Sequence, residues 1–295
     1  AETLQDMNPD VQITSLAGNV LTDVGLGVFR DSDVVIGCLD NREARLWVNR
    51  SCWKVSTPWI DGGIQEISGV VKVFTPPDSA CYECGMTEND YRLINLRYSC
   101  PLLRHEDLQA GRVPTSPTIS AVIGGWQAQE ALKLIHGMPV NAGQAMVYNG
   151  VANQFYRTQF QFREDCLSHE TYPEAVELPL HRDVHTAADL FQALRRDLGF
   201  EPLRLALDRD LVISLVCEAC ATTREVMKPL AEVGIRRAAC PSCGETQRPE
   251  TVHAIDVDSP LANERFSRLG VPPYDIVLVE GAHDTCACLL AGDRE

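Results

Sequence analysis

From Asp33 to Val55 the chain changes its hydrophobic period abruptly. Asp33-Val-Val-Ile-Gly-Cys38 is an apolar run with no polar face, the pattern of a strand buried on both sides. Asn41 to Val55 then follows a helical period, with Leu46, Trp47 and Val48 among its apolar positions. Pro58-Trp-Ile60 predicts another short buried strand, ended by Asp61-Gly62-Gly63, and Gly69 to Phe74 alternates beyond it. Upstream, Val11 to Leu16 alternates like a strand and Val20 to Arg30 carries a helical period. Strand and helix units in alternation imply an α/β fold with a mostly parallel sheet and helices on its faces.

Periodicity weakens from Cys81 to Pro117, a long excursion of the kind that is usually functional or tied down. A helix is expected over Thr118 to His136, started by Ser116-Pro117 and ended by Gly137. Inside it, Gly124-Gly125 costs helix propensity, which a close contact or ordinary core packing would explain. Gln144 to Asn149 and Gln154 to Phe162 predict an antiparallel hairpin around Asn149-Gly150, an antiparallel extension of the sheet. A boundary near residue 172 divides the chain into residues 1–172 and 173–295. The second part begins with a strand-like stretch over Val176 to Val184 and a helix over Thr186 to Leu198. Leu203 to Leu215 then alternates around an expected turn at Asp208-Arg209-Asp210.

Four pairs of ligand-type residues punctuate these elements: Cys81 with Cys84, Cys166 with His169, Cys217 with Cys220, and Cys240 with Cys243. Two residues between ligands let a tight turn aim both side chains at one ion. Zinc takes four such ligands in a tetrahedron, so four pairs predict two closed, structural zinc sites. The pairs from Cys217 to Cys243 have zinc-ribbon spacing; a disulfide reading of them requires an exported protein. Cys38 and Cys52 read as small apolar packing groups, and Cys286 and Cys288, one residue apart, receive no role.

Length and charge narrow the partners. A chain of 295 residues with 45% hydrophobic content suits two packed domains. A net charge of -15 argues against nucleic acid and anionic membrane surfaces. No apolar run is long enough to span a bilayer, and no leader opens the chain. Of twelve cysteines, seven stand in pairs at metal spacing, and in a chain too large to need disulfide staples this points to a reducing cytoplasm. The opening from Ala1, not Met, reads as the end of a helix running into a loop and suggests a start within a domain.

Asp40 is the first candidate for chemistry. It follows the carboxyl end of an expected buried strand and precedes a helix, where ligands bind in open parallel sheets. A carboxylate there suits magnesium bridging nucleotide phosphates, and the helix amino terminus favours those phosphates as well. Asn41 and Arg45 lie four apart on one helix face, with Arg45 in reach of a phosphate. The competing reading is a plain helix N-cap at Asp40. Asp61-Gly62-Gly63, with glycines that permit a close approach or a turn, is a weaker signal.

The order Cys38-Leu-Asp-Asn41, Arg45, Pro58-Trp-Ile-Asp-Gly-Gly63, Cys81-x-x-Cys84, Thr118-Ile-Ser-Ala-Val-Ile-Gly-Gly-Trp-Gln-Ala-Gln-Glu130 and a second metal pair resembles the ThiF/MoeB/HesA family over about residues 1 to 170. This family includes the ubiquitin-activating enzymes. The resemblance implies a Rossmann-like sheet, here partial, and ATP-dependent adenylation of the C-terminal glycine of a ubiquitin-like or sulfur-carrier protein. Many members then move the acyl group to a cysteine. It implies Asp40 as the magnesium ligand, Asn41 and Arg45 in the nucleotide site, and Cys81, Cys84, Cys166 and His169 around zinc. His169 departs from the family's usual cysteine, a chemically mild change. Cys100, in the excursion near Arg97 and Arg104, becomes the candidate nucleophile, since neighbouring cations favour a thiolate; the alternative is an incidental cysteine. The family's Gly-x-Gly-x-x-Gly phosphate loop occurs nowhere in the chain; Gly25-Leu26-Gly27 comes closest, with Arg30 in place of the third glycine. The nucleotide site is therefore expected to be completed by a longer chain or by a different chain; the resemblance separately implies a homodimer or heterodimer.

Three functions follow: an activating enzyme that forms a thioester and hands on to a conjugating enzyme, an adenylating enzyme for a sulfur carrier or peptide without a thioester, and a non-catalytic zinc-binding subunit or adaptor. Residues 173–295, with their ribbon, are read as a recruitment module or as a metal-stapled domain without a partner.

Overall fold

A computed structural model describes residues 1–99, 116–233 and 238–294; within the helix at 88–99, the side chains of 93 and 95–99 are left undescribed. Two short helices, α1 (Glu2–Met7) and α2 (Leu26–Arg30), precede strand β1 (Val35–Gly37) and helix α3 (Arg42–Lys54). Strands β2 (Trp59–Gln65) and β3 (Ser68–Phe74) form a hairpin, followed by α4 (Glu88–Ser99) and α5 (Pro117–Ile135). A second hairpin, β4 (Gln144–Asn149) and β5 (Gln154–Gln159), completes a sheet of order β1-β2-β3-β4-β5.

Among the described strands of this sheet only β1 and β2 pair in parallel, with Val35 beside Trp59 and Gly37 beside Asp61. Helix α3 is the crossover that a parallel pair requires. The other three pairings are antiparallel, so the antiparallel extension is larger than the parallel part. β2 does not stop at Asp61-Gly62-Gly63 but runs through them to Gln65. Val11 to Leu16 alternates yet forms no strand, because it has no neighbour to pair with among the described residues. Of the helical pattern from Val20 to Arg30, only the last five residues are helical. The excursion after Cys84 contains α4, opened by a reciprocal Thr87–Asp90 cap that a pass for apolar periods overlooks.

The second half builds another sheet from β6 (Val176–Leu178), β7 (Arg204–Val216), β8 (Thr223–Pro229), β9 (Arg248–Asp256), β10 (Ile276–Glu280) and β11 (Thr285–Leu290). Its order is β6-β11-β10-β7-β8, with β9 also on β7. Helix α6 (Ala187–Ala193) buries Leu190 and Phe191 against it. Asp208-Arg209-Asp210 is not a turn: β7 continues through it, and its register against β9 breaks between Ala206 and Leu211. Such a bulge re-aims side chains. Arg209 turns toward the first half, donates to the carbonyls of Leu21 and Val24, pairs with Asp275 at 3.0 Å and lies over the Trp47 ring at 4.5 Å.

The two halves share a core: Leu26, Phe29, Trp53, Trp59 and Phe74 from the first pack with Tyr274, Ile276 and Leu289 from the second. Asp275, fully buried, accepts the Leu26 amide at 2.7 Å at the start of α2. Gly25 and Gly27 serve this contact. A Cβ on either would meet the backbone of Tyr274 at 2.6 Å or less. The Gly25-Leu26-Gly27 tripeptide thus admits a neighbouring chain segment. Gly124 and Gly125 on α5 face open space, with no close neighbour for either among the described residues. No described helix is long and apolar enough to cross a membrane.

Candidate functional site

Asp40 follows the carboxyl end of the parallel pair, as expected, and its side chain is exposed. The cap of α3 is Asn41, whose Oδ1 accepts from the Ala44 amide at 2.8 Å. Asn41 Nδ2 donates to the Asp40 carboxylate at 2.9 Å. Asp40 is therefore relieved of capping, and its carboxylate stands beside the amino-terminal, positive end of a 13-residue helix.

Arg45 behaves differently from a free phosphate ligand. Its Nε donates to Asp61 Oδ1 at 2.7 Å, and its Nη2 donates to the carbonyls of Leu39 and Gly62. Asp61, with 0% exposure, also accepts from Lys72 Nζ at 2.8 Å. This buried Arg45–Asp61–Lys72 group fixes the strand end behind Asp40. Burying a carboxylate costs several kcal/mol unless it is paired, and two cations satisfy both its oxygens. Gln127 of α5 completes the group. Its Nε2 donates to the Gly37 carbonyl at 2.9 Å, and a Cβ on Gly62 would meet its Oε1 at 2.4 Å. Gly62 is thus required by the approach of α5. Gln127 stands within the Thr118–Glu130 motif, but neither its contact with Gly62 nor the pairing of Lys72 is legible in the sequence. The one available signal was a lysine in the otherwise apolar alternation of β3.

The first metal set comes together. Ligand atoms of Cys81, Cys84, Cys166 and His169 all lie within 4.8 Å of one another. Four ligands at about 2.3 Å around one zinc stand about 3.8 Å apart. Here Cys81 and Cys84 are 3.7 Å apart, Cys81 and Cys166 3.5 Å, and Cys84 Sγ is 3.4 Å from His169 Nε2. These separations are far too long for disulfides and fit a closed tetrahedral site. The His169 ring is stacked between Trp53 and Phe162, at 4.8 and 4.6 Å. The hydrogen bond from Cys166 pushes the Cys81 thiol below its ordinary range, the direction that favours a metal-binding thiolate.

The second set is also assembled, with Cys217, Cys220, Cys240 and Cys243 within the same limit. Cys217 and Cys243 are 3.5 Å apart, and Cys220 and Cys240 3.6 Å. Amides of Ser242 and Cys243 push the Cys240 thiol down to about 6. The four pairs divide into two clusters in the order their spacing suggests. Cys100 lies outside the described residues.

The chain has known relatives. The ThiF family model matches residues 1–168, more than half of the chain, and the chain belongs to the ThiF family. It is 25% identical over 280 residues to ubiquitin-like modifier-activating enzyme 5 of Oryza sativa subsp. japonica, covering 87% of this chain and 64% of that protein. It is 30% identical over 166 residues to sulfur carrier protein ThiS adenylyltransferase of Escherichia coli (strain K12), covering 56% of this chain and 61% of that protein. Among solved structures, E. coli MccB with ATP is similar at 17% identity and a TM-score of 0.43, covering 57% of this chain and 48% of that one. The chain spans less than two thirds of these curated relatives.

Proposed function

We propose that this chain belongs to an enzyme that uses ATP and magnesium to adenylate the C-terminal glycine of a ubiquitin-like or sulfur-carrier protein ending in Gly-Gly. The supporting observation is the exposed Asp40 carboxylate at the end of a parallel strand pair, held by Asn41 and backed by the buried Arg45–Asp61–Lys72 group. In this reading a carrier carboxylate oxygen bonds to the ATP α-phosphorus, the α–β bridging bond breaks, and pyrophosphate leaves. Asp40 would hold magnesium, which would offset phosphate charge, and Asn41 orders Asp40. Arg45 acts from behind, by fixing the strand ends. Zinc at the two cysteine clusters is structural, and the activating body extends to about residue 172.

Thioester formation is the finer part of the proposal. The Cys100 thiolate attacks the acyl carbon, AMP leaves, and the carrier is held for a downstream conjugating enzyme. The alternative, adenylation for sulfur transfer without a thioester, draws support from the likeness to the ThiS adenylyltransferase.

The test is ATP–pyrophosphate exchange by the full-length protein with candidate Gly-Gly carriers. Asp40→Ala should reduce exchange by roughly 100-fold; exchange at the wild-type rate refutes the assignment. Cys100→Ala should leave exchange intact and abolish a reductant-sensitive carrier conjugate. An unchanged conjugate removes the thioester step.

A further inference from the structure

A single carboxylate links the first metal cluster to the helix of the nucleotide site. Glu83 lies inside the Cys81–Cys84 pair and is fully buried. Its two oxygens accept four hydrogen bonds. Arg50 of α3 donates through Nε at 3.0 Å and Nη2 at 2.6 Å. Tyr91 of α4 donates its hydroxyl at 2.7 Å. Ser168, inside the Cys166–His169 pair, donates its hydroxyl to Glu83 Oε2. Four donors fill the lone-pair sites of one carboxylate.

Asn49 of α3 closes the circuit. Its Nδ2 donates to Ser168 Oγ at 2.8 Å, and its Oδ1 accepts from the Tyr82 amide at 3.0 Å and Trp59 Nε1 at 3.2 Å. Asn49 is itself fully buried. Each half of the metal cluster is thus tied to α3 through a residue between its ligands, and α3 begins at Asn41, next to Asp40. Arg42 at that same end pairs with Asp90 of α4 at 2.9 Å.

We propose that Glu83 is a positioning residue that couples the metal cluster to α3, so that a filled cluster sets the placement of Asp40 and Asn41. It is not among the clustered metal-ligand residues. It acts by making one rigid unit of the two metal pairs, α3 and α4. Outer partners of metal ligands commonly change metal affinity by about 10–100-fold. Those partners usually act on the ligand alone; here they also belong to the catalytic helix. The inference rests on Asp40 as a nucleotide-site residue, and its test separates the two.

The experiment measures zinc release to a chromophoric chelator and ATP–pyrophosphate exchange, using the zinc-loaded full-length protein and its Glu83→Gln variant. Glu83→Gln should lose zinc about tenfold faster. It should also raise the KM for ATP severalfold while kcat changes less. Stripping zinc from the wild type should raise KM similarly, with recovery on adding zinc back. In Glu83→Gln, stripping should add little, because the link is already cut; that non-additivity is the signature of coupling. Independent, additive effects overturn the proposal, as does zinc release at the wild-type rate. If Glu83→Gln does not fold, Ser168→Ala removes one arm and should hasten release about threefold, and no change there overturns it. If the wild type shows no exchange with any carrier, the functional reading fails separately. Hydrogen exchange then decides: Glu83→Gln must expose the amides of Arg42–Lys54 severalfold, and unchanged protection refutes the coupling.

Discussion

The two cysteine clusters are alike in spacing and in the distances between sulfurs, yet they are set in different surroundings. In the first, Cys81 is 0% exposed, the imidazole of His169 is walled by two aromatic rings, and Cys81, Cys84 and Cys166 belong to the core shared by both halves. In the second, Cys217 and Cys240 are buried, but Cys220 and Cys243 are exposed, at the end of the β7–β8 pair. The residues between ligands differ in the same way. Glu83 is buried with four donors, whereas the Glu218 side chain is 79% exposed and pairs with Arg248 at 3.5 Å. Ligand spacing therefore determines that a metal fits. The neighbours determine whether the cluster organises a domain or pins a hairpin.

The strongest way to break this comparison is to remove one ligand from each cluster. Cys81→Ser should cost several kcal/mol, since structural zinc supplies folding free energy directly. It should abolish the near-ultraviolet circular dichroism of Trp53 and Trp59, both buried beside the cluster. Cys217→Ser should loosen the β8 end and leave that signal in place. Equal collapse in both variants would show that the second cluster is a core element too.

A smaller effect sharpens the comparison by asking what docks the second half on the first. The bulge in β7 supplies Arg209, and Asp275 joins it to the start of α2. Asp275→Ala leaves a buried arginine unpaired and should cost about 3–5 kcal/mol. Burial pushes the Asp275 carboxyl above its usual range, against the pull of Arg209, so the ionised pair is not by itself a large source of stability. The Asp275→Ala and Cys217→Ser losses should therefore be separable in denaturant unfolding. A cost below about 1 kcal/mol for Asp275→Ala would mean that the apolar contacts of Tyr274 and Ile276 suffice.

How far the sequence discloses these features depends on the range of the interactions. Helices α3 and α5, the hairpin of β4 and β5, and the pairing of metal ligands follow from periods, caps and spacings within about twenty residues. The exposed Asp40 was legible because its position at a strand end is local. The bulge at Asp208-Arg209-Asp210 reads locally as a turn, and only Leu21, Val24 and Asp275, distant in the chain, explain why the strand continues. Gly25 and Gly27 look like remnants of a phosphate loop until Tyr274 is seen against them. Glu83 looks like any solvated residue in a knuckle. Its partners Arg50, Tyr91 and Ser168 come from three separate segments, and no local pattern joins them.

The finest contrast between the clusters is in their response to acid. Burial alone would raise the Glu83 carboxyl, but hydrogen bonds from Arg50, Ser168 and Tyr91 outweigh it and hold the group below its ordinary value of 4.5. A carboxyl depressed on folding contributes stability above its unfolded value, and that stability is lost as pH falls through the folded value. Glu83→Gln should therefore be less stable than the wild type at neutral pH by about 2–3 kcal/mol, the worth of hydrogen bonds to a charged group. The gap should narrow as pH falls below about 4.5, as the wild-type carboxylate takes up its proton. Glu218→Gln should track the wild type at every pH, since an exposed ion pair is screened by water and salt. Thermal unfolding of the three proteins from pH 7 down to pH 3 measures both curves. If the Glu83→Gln curve stays parallel to the wild type, the variant acts through lost shape rather than lost charge. If Glu218→Gln converges in the same way, the two clusters do not differ in the manner their surroundings imply.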